Sequence, residues 1–201
     1  MRTLAAMSND HEATTPPKDA NPRMEERLLE SRTIVVGEEV TDALYRKVAS
    51  SLLILEQRDP NGLVTVLVNS PGGSADSGFA MYDLLRFTTC PVRTIANGLV
   101  ASAAVLVFLA APKGQRFSLP SSRFLLHQPS TMTRGQSSDI DIAAKQIIEL
   151  RRRYNTIVAE ITGKTLDLVE RDSERDFWLG ATAAKDYGLV DRVVTQRIDL
   201  G

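Results

Sequence analysis

The stretch LVTVLVNSPGG, Leu63–Gly73, decides the fold class of this sequence. Its first six residues are apolar or β-branched, which predicts a buried strand, and the glycine turn that follows leads into a helix over about 76–87. The pattern returns with a strand at Val92–Ala96, a tight turn at Asn97-Gly98 and a nearly apolar helix that contains Ser102. This alternation is typical of an α/β fold with parallel strands and crossover helices.

The same criteria predict shorter elements on both sides of this unit. Thr33–Val36 is a β-branched strand, and Thr41 can cap a helix whose apolar residues share one face. Three more strands are predicted at Phe117–Leu119, Arg123–Leu126 and Leu189–Val194, and Ala181–Tyr187 predicts a short helix that ends at Gly188.

Composition excludes several classes of function. The chain has 201 residues, of which 43% are hydrophobic, enough for one core. A formal net charge of −1 provides no field that would gather nucleic acid or an anionic membrane. The apolar run Leu99–Ala111 is shorter than the roughly 20 residues of a membrane span. Cys90 is the single cysteine, so no intramolecular disulfide can form and a reducing compartment is expected.

The beginning of the sequence differs from the rest. Residues 1–22 contain Pro16-Pro17 and scattered charges, so we expect a mobile segment that precedes one domain over 23–201. The segment lacks the apolar core of a signal peptide, and its acidic residues argue against an organelle transit peptide. A cytoplasmic location is therefore expected.

One helix departs from the globular pattern. Apolar or aromatic residues recur at alternating spacings of three and four over three heptads: Ile140, Ala143, Ile147, Leu150, Tyr154, Ile157 and Ile161. Such a narrow seam is typical of a helix that packs on a partner helix. A long core helix is the alternative, but charged residues such as Glu149 and Arg152 make its other sides polar. We expect a helix over about 138–161, part of which protrudes into an oligomer contact.

Candidate chemistry lies at the ends of the predicted strands. The turns at Pro71-Gly-Gly73 and Gly98 each follow a strand and precede a helix, which places both at the carboxyl edge of a parallel sheet. Backbone amides at such a turn suit an oxyanion or a phosphate. A tight turn without chemistry is the alternative.

Ser102 can be read as a helix cap or as a nucleophile. His11 lies in the segment expected to be mobile, so His127, at the end of a strand, is the remaining candidate for a base. An imidazole that activates a serine needs an orienting group, and spacing leaves five acids open: Asp139, Asp141, Asp172, Glu174 and Asp176. The glycines of the Gly-x-Ser-x-Gly elbow are replaced by Val100 and Ala104.

From about Arg27 to Val194, the sequence resembles the proteolytic subunit of the Clp protease, ClpP, a serine peptidase of family S14. The segments that carry the resemblance follow one another in the family's order: RLLESRTIVVGEEV (27–40), VNSPGG (68–73), GLVAS (98–102), KGQRF (113–117), LHQP (126–129), GQSSDI (135–140), ERDSERD (170–176) and YGLVD (187–191). The resemblance implies a ClpP/crotonase-like α/β fold with stacked sheets, crossover helices and a protruding handle helix.

The same resemblance implies roles for particular residues. Ser102 would be the nucleophile, His127 the base and Asp176 its orienting carboxylate. The backbone amides of Gly73 and Ala103 would form the oxyanion hole. Arg175 resembles the arginine whose ion pair between rings couples assembly to the alignment of the triad. No metal is implied.

The implied assembly is a tetradecamer of two stacked heptameric rings, formed from one or two kinds of subunit. A Clp AAA+ ATPase would thread unfolded polypeptides into its chamber, while short peptides would be cleaved without the ATPase. The subunit would need no cofactor, because ATP is used by the partner. No nucleic acid or membrane partner is implied.

Several departures from the family pattern identify a divergent paralogue. Leu99, Ala103 and Ala104 replace a glutamine, a methionine and a glycine around the serine, which predicts a changed S1 pocket. Ser130–Thr133 and Arg134 alter the segment that pairs with peptide. Thr65 and Leu67 stand where the family often has aromatic residues for ATPase docking, and the hydrophobic start of the pore loop is missing.

Two alternatives therefore remain. The chain could be an accessory or weakly active ClpP-like subunit that works in a complex with a second paralogue. It could also be a crotonase-type enzyme that holds a thioester enolate with paired amides, although Ser102, His127 and Asp176 together argue against that activity.

Overall fold

The computed structural model describes residues 22–129 and 135–200. The helices are α1 (Pro22–Glu30), α2 (Asp42–Arg58), α3 (Ala75–Phe87), α4 (Ala103–Leu109), α5 (Ser137–Thr162), α6 (Leu166–Asp172) and α7 (Ala181–Tyr187), with a 3-10 turn at Arg197–Leu200. The strands are β1 (Thr33–Val36), β2 (Val64–Ser70), β3 (Val92–Ala101), β4 (Arg116–Ser118), β5 (Arg123–Leu126), β6 (Phe177–Gly180) and β7 (Arg192–Val193).

The strands form one branched sheet that is parallel except at one pair. Its main path is β1-β2-β3-β4-β7, and β5 pairs in parallel with the last residues of β3. Strand β6 pairs antiparallel with β5. The first half of β3 thus belongs to the main sheet and its second half to a small sheet with β5 and β6. The expected α/β fold with parallel strands and crossover helices is confirmed.

The predicted strand end at Asn97-Gly98 is wrong. Strand β3 continues to Ala101, and its register against β2 shifts between Val68 and Ser70. Gly98 has φ 113°, and a Cβ there would lie 2.6 Å from Asn69 Oδ1, an atom that also accepts a hydrogen bond from the Leu99 amide at 2.9 Å. Gly98 therefore bends β3 from one sheet into the other, and the helix begins only at Ala103.

The core lies on the face of the sheet that α2, α3 and α4 cover. Every residue of α4 is buried, which explains its nearly apolar sequence. Glycine allows the close contact of α3 with α4, since a Cβ on Gly78 would lie 3.0 Å from that of Ala103. The opposite face of the sheet carries a small apolar cluster of Ile95, Phe117 and Val194.

The predicted long helix is confirmed as α5, with ends one residue outside the expected ones. Its second half packs on the domain and buries Tyr154 and Val158. Its first half exposes apolar side chains, with Ile140, Ile142 and Ile148 at 44%, 61% and 65% exposure. Of the predicted seam, Tyr154 is thus buried at one end and Ile140 is exposed at the other, while Ile142 and Ile148 lie beside the seam.

Other expectations differ from the structure at the chain ends. Strand β7 covers only two of the residues predicted at 189–194, and β6 and α1 were not expected. Pro22, placed in the mobile segment by the sequence, begins α1, while the rest of that prediction lies outside the described residues. The expected effect of 130–134 also concerns residues that the structure does not describe. In the described ranges, no helix combines the length and the apolarity needed to cross a membrane.

Candidate active site

Ser102 occupies the junction between β3 and α4. Its backbone has φ 54° and ψ −125°, a conformation that residues with a side chain rarely adopt and that costs of order 1–3 kcal/mol. Its amide donates to Leu125 O at 3.0 Å, so β5 helps to hold the bend. The side chain makes no capping hydrogen bond, so the capping alternative is wrong. The junction is a strand-to-helix elbow built without the usual glycines.

The turn after β2 lies directly against this elbow. Gly72 has φ 88°, and a Cβ there would lie 2.6 Å from the Cβ of Ser102 and 3.0 Å from the amide nitrogen of Ala103. Gly73 has φ 145° and is tied to Val40 by a parallel bridge. The two glycines therefore allow backbone to approach the serine more closely than any side chain would permit.

Two backbone amides beside Ser102 are candidates for binding an oxyanion. Among the residues that the structure describes, neither the Gly73 amide nor the Ala103 amide donates a hydrogen bond. The Ala103 amide is free because it belongs to the first residue of α4. The amides on either side of Gly73 do have partners: Gly72 donates to Ser70 Oγ and Ser74 donates to Val40 O. Both predicted oxyanion-hole donors are thus available to a ligand.

His127 and Asp176 meet because β5 and β6 pair antiparallel. The register joins Leu126 to Phe177, so the next residue of one strand faces the preceding residue of the other. His127 Nδ1 lies 3.3 Å from Asp176 Oδ1. The carboxylate is 63% exposed and the imidazole 32% exposed, so solvent screens the pair.

Gln128 fastens the segment that carries Asp176 to the end of β5. Its backbone amide donates to Ser173 O at 3.2 Å, and its side-chain Nε2 donates to Glu174 O at 2.8 Å. These two contacts extend the β5–β6 pairing past the strand ends. They limit how far Asp176 can move from His127.

Helix α5 touches both halves of the site through consecutive residues. The hydroxyl of the buried Tyr154 donates to Ser102 O at 3.4 Å, and burial raises the pKa of this phenol. The buried Asn155 accepts a hydrogen bond from Ser173 Oγ at 3.2 Å. Asn155 Nδ2 is also buried and has no partner among the described residues. One turn of α5 therefore contacts the serine elbow and the segment that carries the acid.

Four of the predicted residues line one small pocket of about 40 Å³, whose lining does not include Asp176. Gly73, Ser102, Ala103 and His127 form one part of its wall, and apolar side chains form the rest, namely Ala75, Phe79, Pro129, Leu150 and Tyr154. Within the described part of the chain, no hydrogen bond joins Ser102 Oγ to His127. The protomer therefore brings the serine and the imidazole to the same pocket without closing the contact between them.

The other candidate acids differ from Asp176 in their contacts. Asp172 accepts a hydrogen bond from the Tyr187 hydroxyl at 3.0 Å, and Asp139 and Asp141 lie on the exposed first half of α5. Glu174 is exposed, and its contact with the site is made by its backbone carbonyl, which accepts from Gln128. Arg175 is exposed and, among the described residues, makes no ion pair within the protomer.

Sequence reasoning did not identify the supports of the site. Gln128, Asn155 and Ser173 carry no chemistry of their own, and their contacts span elements that are distant in sequence. A signal existed for Asn155, since an amide beside the apolar seam of a helix needs a buried partner.

Comparison with known proteins agrees with this geometry. Residues 18–197 match the family model described as Clp protease. A solved structure of a ClpP1 mutant from Listeria monocytogenes superposes with a TM-score of 0.82 and 36% identity, covering 89% of this chain and 99% of that one.

Curated relatives point to the same family. The ATP-dependent Clp protease proteolytic subunit 3 of Rhizobium meliloti is 47% identical over 85% of this chain and 87% of its own. The protein of the same name from Rhizobium etli is 42% identical over 96% of this chain and 100% of its own. The chain therefore belongs to the Clp protease family of serine peptidases.

Proposed function

We propose that this chain is a catalytic subunit of a self-compartmentalising Clp protease and cleaves peptide bonds through Ser102, His127 and Asp176. One observation carries the proposal: the β5–β6 register brings His127 and Asp176 within 3.3 Å, beside the strained elbow that presents Ser102. The His127–Asp176 pair and the elbow lie at the same end of the parallel strands β3 and β5. Distant segments of the sequence thereby supply the three groups that acyl transfer requires.

In the proposed mechanism, Asp176 accepts a hydrogen bond from Nδ1–H of His127, which fixes the tautomer whose Nε2 is unprotonated and can act as a base. Nε2 takes the Ser102 hydroxyl proton as Oγ attacks the substrate carbonyl. The negative charge that develops on the carbonyl oxygen is stabilised by hydrogen bonds from the Gly73 and Ala103 amides, which have no acceptor among the described residues. Nε2 then passes its proton to the leaving amine, and water releases the acyl group from Ser102 by the same steps.

The reaction needs no cofactor in this subunit, and we assign the use of ATP to a partner AAA+ ATPase. The exposed apolar side chains in the first half of α5 support stacking of heptameric rings into a tetradecamer. A groove of about 610 Å³ between α1, β1 and α2 supports docking of an apolar ATPase segment, since it includes the exposed Met24, Val35 and Ile54. Unfolded polypeptides would then be the substrates, short peptides would be cleaved without the ATPase, and the cytoplasm would be the compartment.

The second candidate is an accessory or weakly active subunit of a complex with another ClpP paralogue. The missing contact between Ser102 and His127, and the exposure of Asp176, favour it. In that case the partner subunit would supply the contacts that close the site.

Labelling with a fluorophosphonate tests the proposal. The full-length protein should be labelled at Ser102, Ser102→Ala should abolish labelling, and Asp176→Asn should slow it by about 10²-fold or more, because a neutral amide no longer fixes the imidazole tautomer. Ser31→Ala is the control, because it removes the hydroxyl of an exposed serine that does not line the pocket. Ser122→Ala is less suitable, because that hydroxyl is buried and bonded to Ala96 O. Labelling only after mixing with a paralogue would favour the second candidate, and no labelling in any assembly would contradict the catalytic role.

A further inference from the structure

The apolar part of the pocket beside Ser102 is small because two aromatic side chains occupy it. Phe79 enters from α3 and Tyr154 from α5, and the two side chains are 5% and 6% exposed. The pocket also contains the nucleophile and the two free amides. The substrate side chain next to the scissile bond, the P1 side chain, would therefore enter the apolar part of this pocket, which we call the recess.

The volume of the recess limits what can enter it. A cavity of about 150 Å³ holds benzene, which corresponds to roughly 25 Å³ for each carbon atom. The pocket has about 40 Å³, so it accommodates one or two non-hydrogen atoms. A leucine side chain has four such atoms and a phenylalanine side chain has seven.

Contacts hold both rings in place. The guanidinium of Arg153 lies 4.4 Å from the centre of the Phe79 ring, and the Tyr154 hydroxyl is bonded to Ser102 O. The backbone of α3 cannot withdraw easily either, because Gly78 packs on Ala103. Enlarging the recess would break at least one of these contacts, so a large P1 side chain meets a close-packed wall.

We propose that Phe79 and Tyr154 restrict cleavage by this enzyme to bonds that follow small residues, with alanine preferred and serine or cysteine accepted. The inference rests on the proposed function and adds the substrate preference of the same site. Each methylene that a pocket cannot accommodate lowers reactivity by about tenfold to 200-fold. Glycine leaves the recess empty and gains nothing from it.

Peptidyl diphenyl phosphonates test this preference without turnover, an ATPase or a second substrate. In the reaction, Ser102 Oγ forms a bond to phosphorus, phenoxide leaves, and His127 takes the hydroxyl proton. Three probes with the same peptide and alanine, leucine or phenylalanine at P1 are compared by their second-order labelling rates on the full-length assembly. A fluorophosphonate, which has no P1 side chain, reports the intrinsic reactivity of Ser102.

We expect the alanine probe to react at least about tenfold faster than the leucine and phenylalanine probes. In Phe79→Ala, the leucine probe should gain at least about tenfold relative to the alanine probe, since the ring no longer fills the recess. Phe87→Ala is the matched control, because it makes the same change at the end of the same helix on a side chain that is 86% exposed. Its probe ratios should equal those of the unmodified protein.

The unmodified protein alone decides the inference if Phe79→Ala fails to fold. Equal or faster reaction of the leucine or phenylalanine probe, with normal fluorophosphonate labelling, would overturn the size restriction and leave the proposed function intact. Labelling by none of the probes, fluorophosphonate included, would overturn both. An unchanged probe ratio in a folded Phe79→Ala would overturn the role assigned to Phe79.

Discussion

Ser173 Oγ donates a hydrogen bond to Asn155 Oδ1 at 3.2 Å, and both side chains are almost fully buried, with 1% of each exposed. The bond joins the packed half of α5 to the segment that carries Asp176. Tyr154, the preceding residue of α5, contacts the carbonyl of Ser102. A displacement of α5 would therefore disturb the nucleophile and the acid together, which gives the helix a physical route from an oligomer contact to the site.

Loss of the Ser173 hydroxyl should slow the labelling of Ser102 as well as destabilise the fold. Ser173→Ala leaves Asn155 with two unpartnered polar atoms, and we expect about 1–3 kcal/mol lower stability and about tenfold slower fluorophosphonate labelling. Ser173→Thr keeps a hydroxyl and should retain most of the labelling rate. Equal labelling rates for the alanine and threonine variants would contradict a positioning role for this bond.

Gly72 should be essential for the site because of its position as well as its backbone angle. In Gly72→Ala, the new Cβ would lie 2.5 Å from Ala101 O and 2.6 Å from the Cβ of Ser102, so the elbow must move. We expect labelling of Ser102 to fall by about 10²-fold or more, as removal of an oxyanion donor does.

Gly114→Ala is the matched control for this change. Gly114 has a similar φ of 91°, but nothing lies within 4 Å of a Cβ built there. It should lose about 1 kcal/mol of stability from backbone strain and keep its labelling rate. Normal labelling of Gly72→Ala, measured beside this control, would show that the glycine turn does not support the nucleophile.

The exposed apolar side chains in the first half of α5 should hold the assembly together. Ile148 is 65% exposed in the protomer, and Ile148→Asp would place a charge in the proposed contact between rings. Native mass measurement should give smaller particles for this variant and slower labelling of Ser102. Ile198→Asp, at a residue that is 83% exposed outside α5, should keep the full assembly. Intact particles of Ile148→Asp would place the contact elsewhere.

The buried Tyr154 should make the fold sensitive to alkaline pH. Burial raises its pKa in the folded state, so the fold keeps the phenol protonated while the unfolded chain ionises above about pH 10. The ionisation of this phenol therefore leaves the free energy of unfolding unchanged below about pH 10 and lowers it above that value, by up to about 1.4 kcal/mol per pH unit. Thermal unfolding midpoints measured between pH 8 and 11 should fall less steeply for Tyr154→Phe. The same slope in both proteins would contradict the assignment.

The sequence predicted most elements because their signals are local. The strand–turn–helix unit around Gly73 and the long helix α5 each follow from patterns within one segment. It failed at Gly98, where a glycine that looks like a turn instead bends a strand between two sheets. That difference depends on Asn69, from another strand, which occupies the space where a side chain would lie.

For the candidate site too, local patterns in the sequence predicted some of the residues but not all of them. Ser102 and His127 were identified from the sequence, since each follows a predicted strand and His127 was the one candidate base outside the first 22 residues. The choice of Asp176 among five acids came from the family motif, because the β5–β6 register joins residues 49 positions apart. Neighbouring residues on the same segment, such as Asp172, have other partners.

By itself, the sequence determined the α/β class, the long helix with an apolar seam and the supply of a serine, an imidazole and a glycine turn at strand ends. Only the tertiary structure showed how Asp176 reaches the imidazole, how α5 contacts both sides of the site and how much space remains beside Ser102. The reason is that hydrophobic period and turn chemistry act over a few residues, whereas strand register and the placement of Phe79 and Tyr154 around one pocket depend on several elements at once.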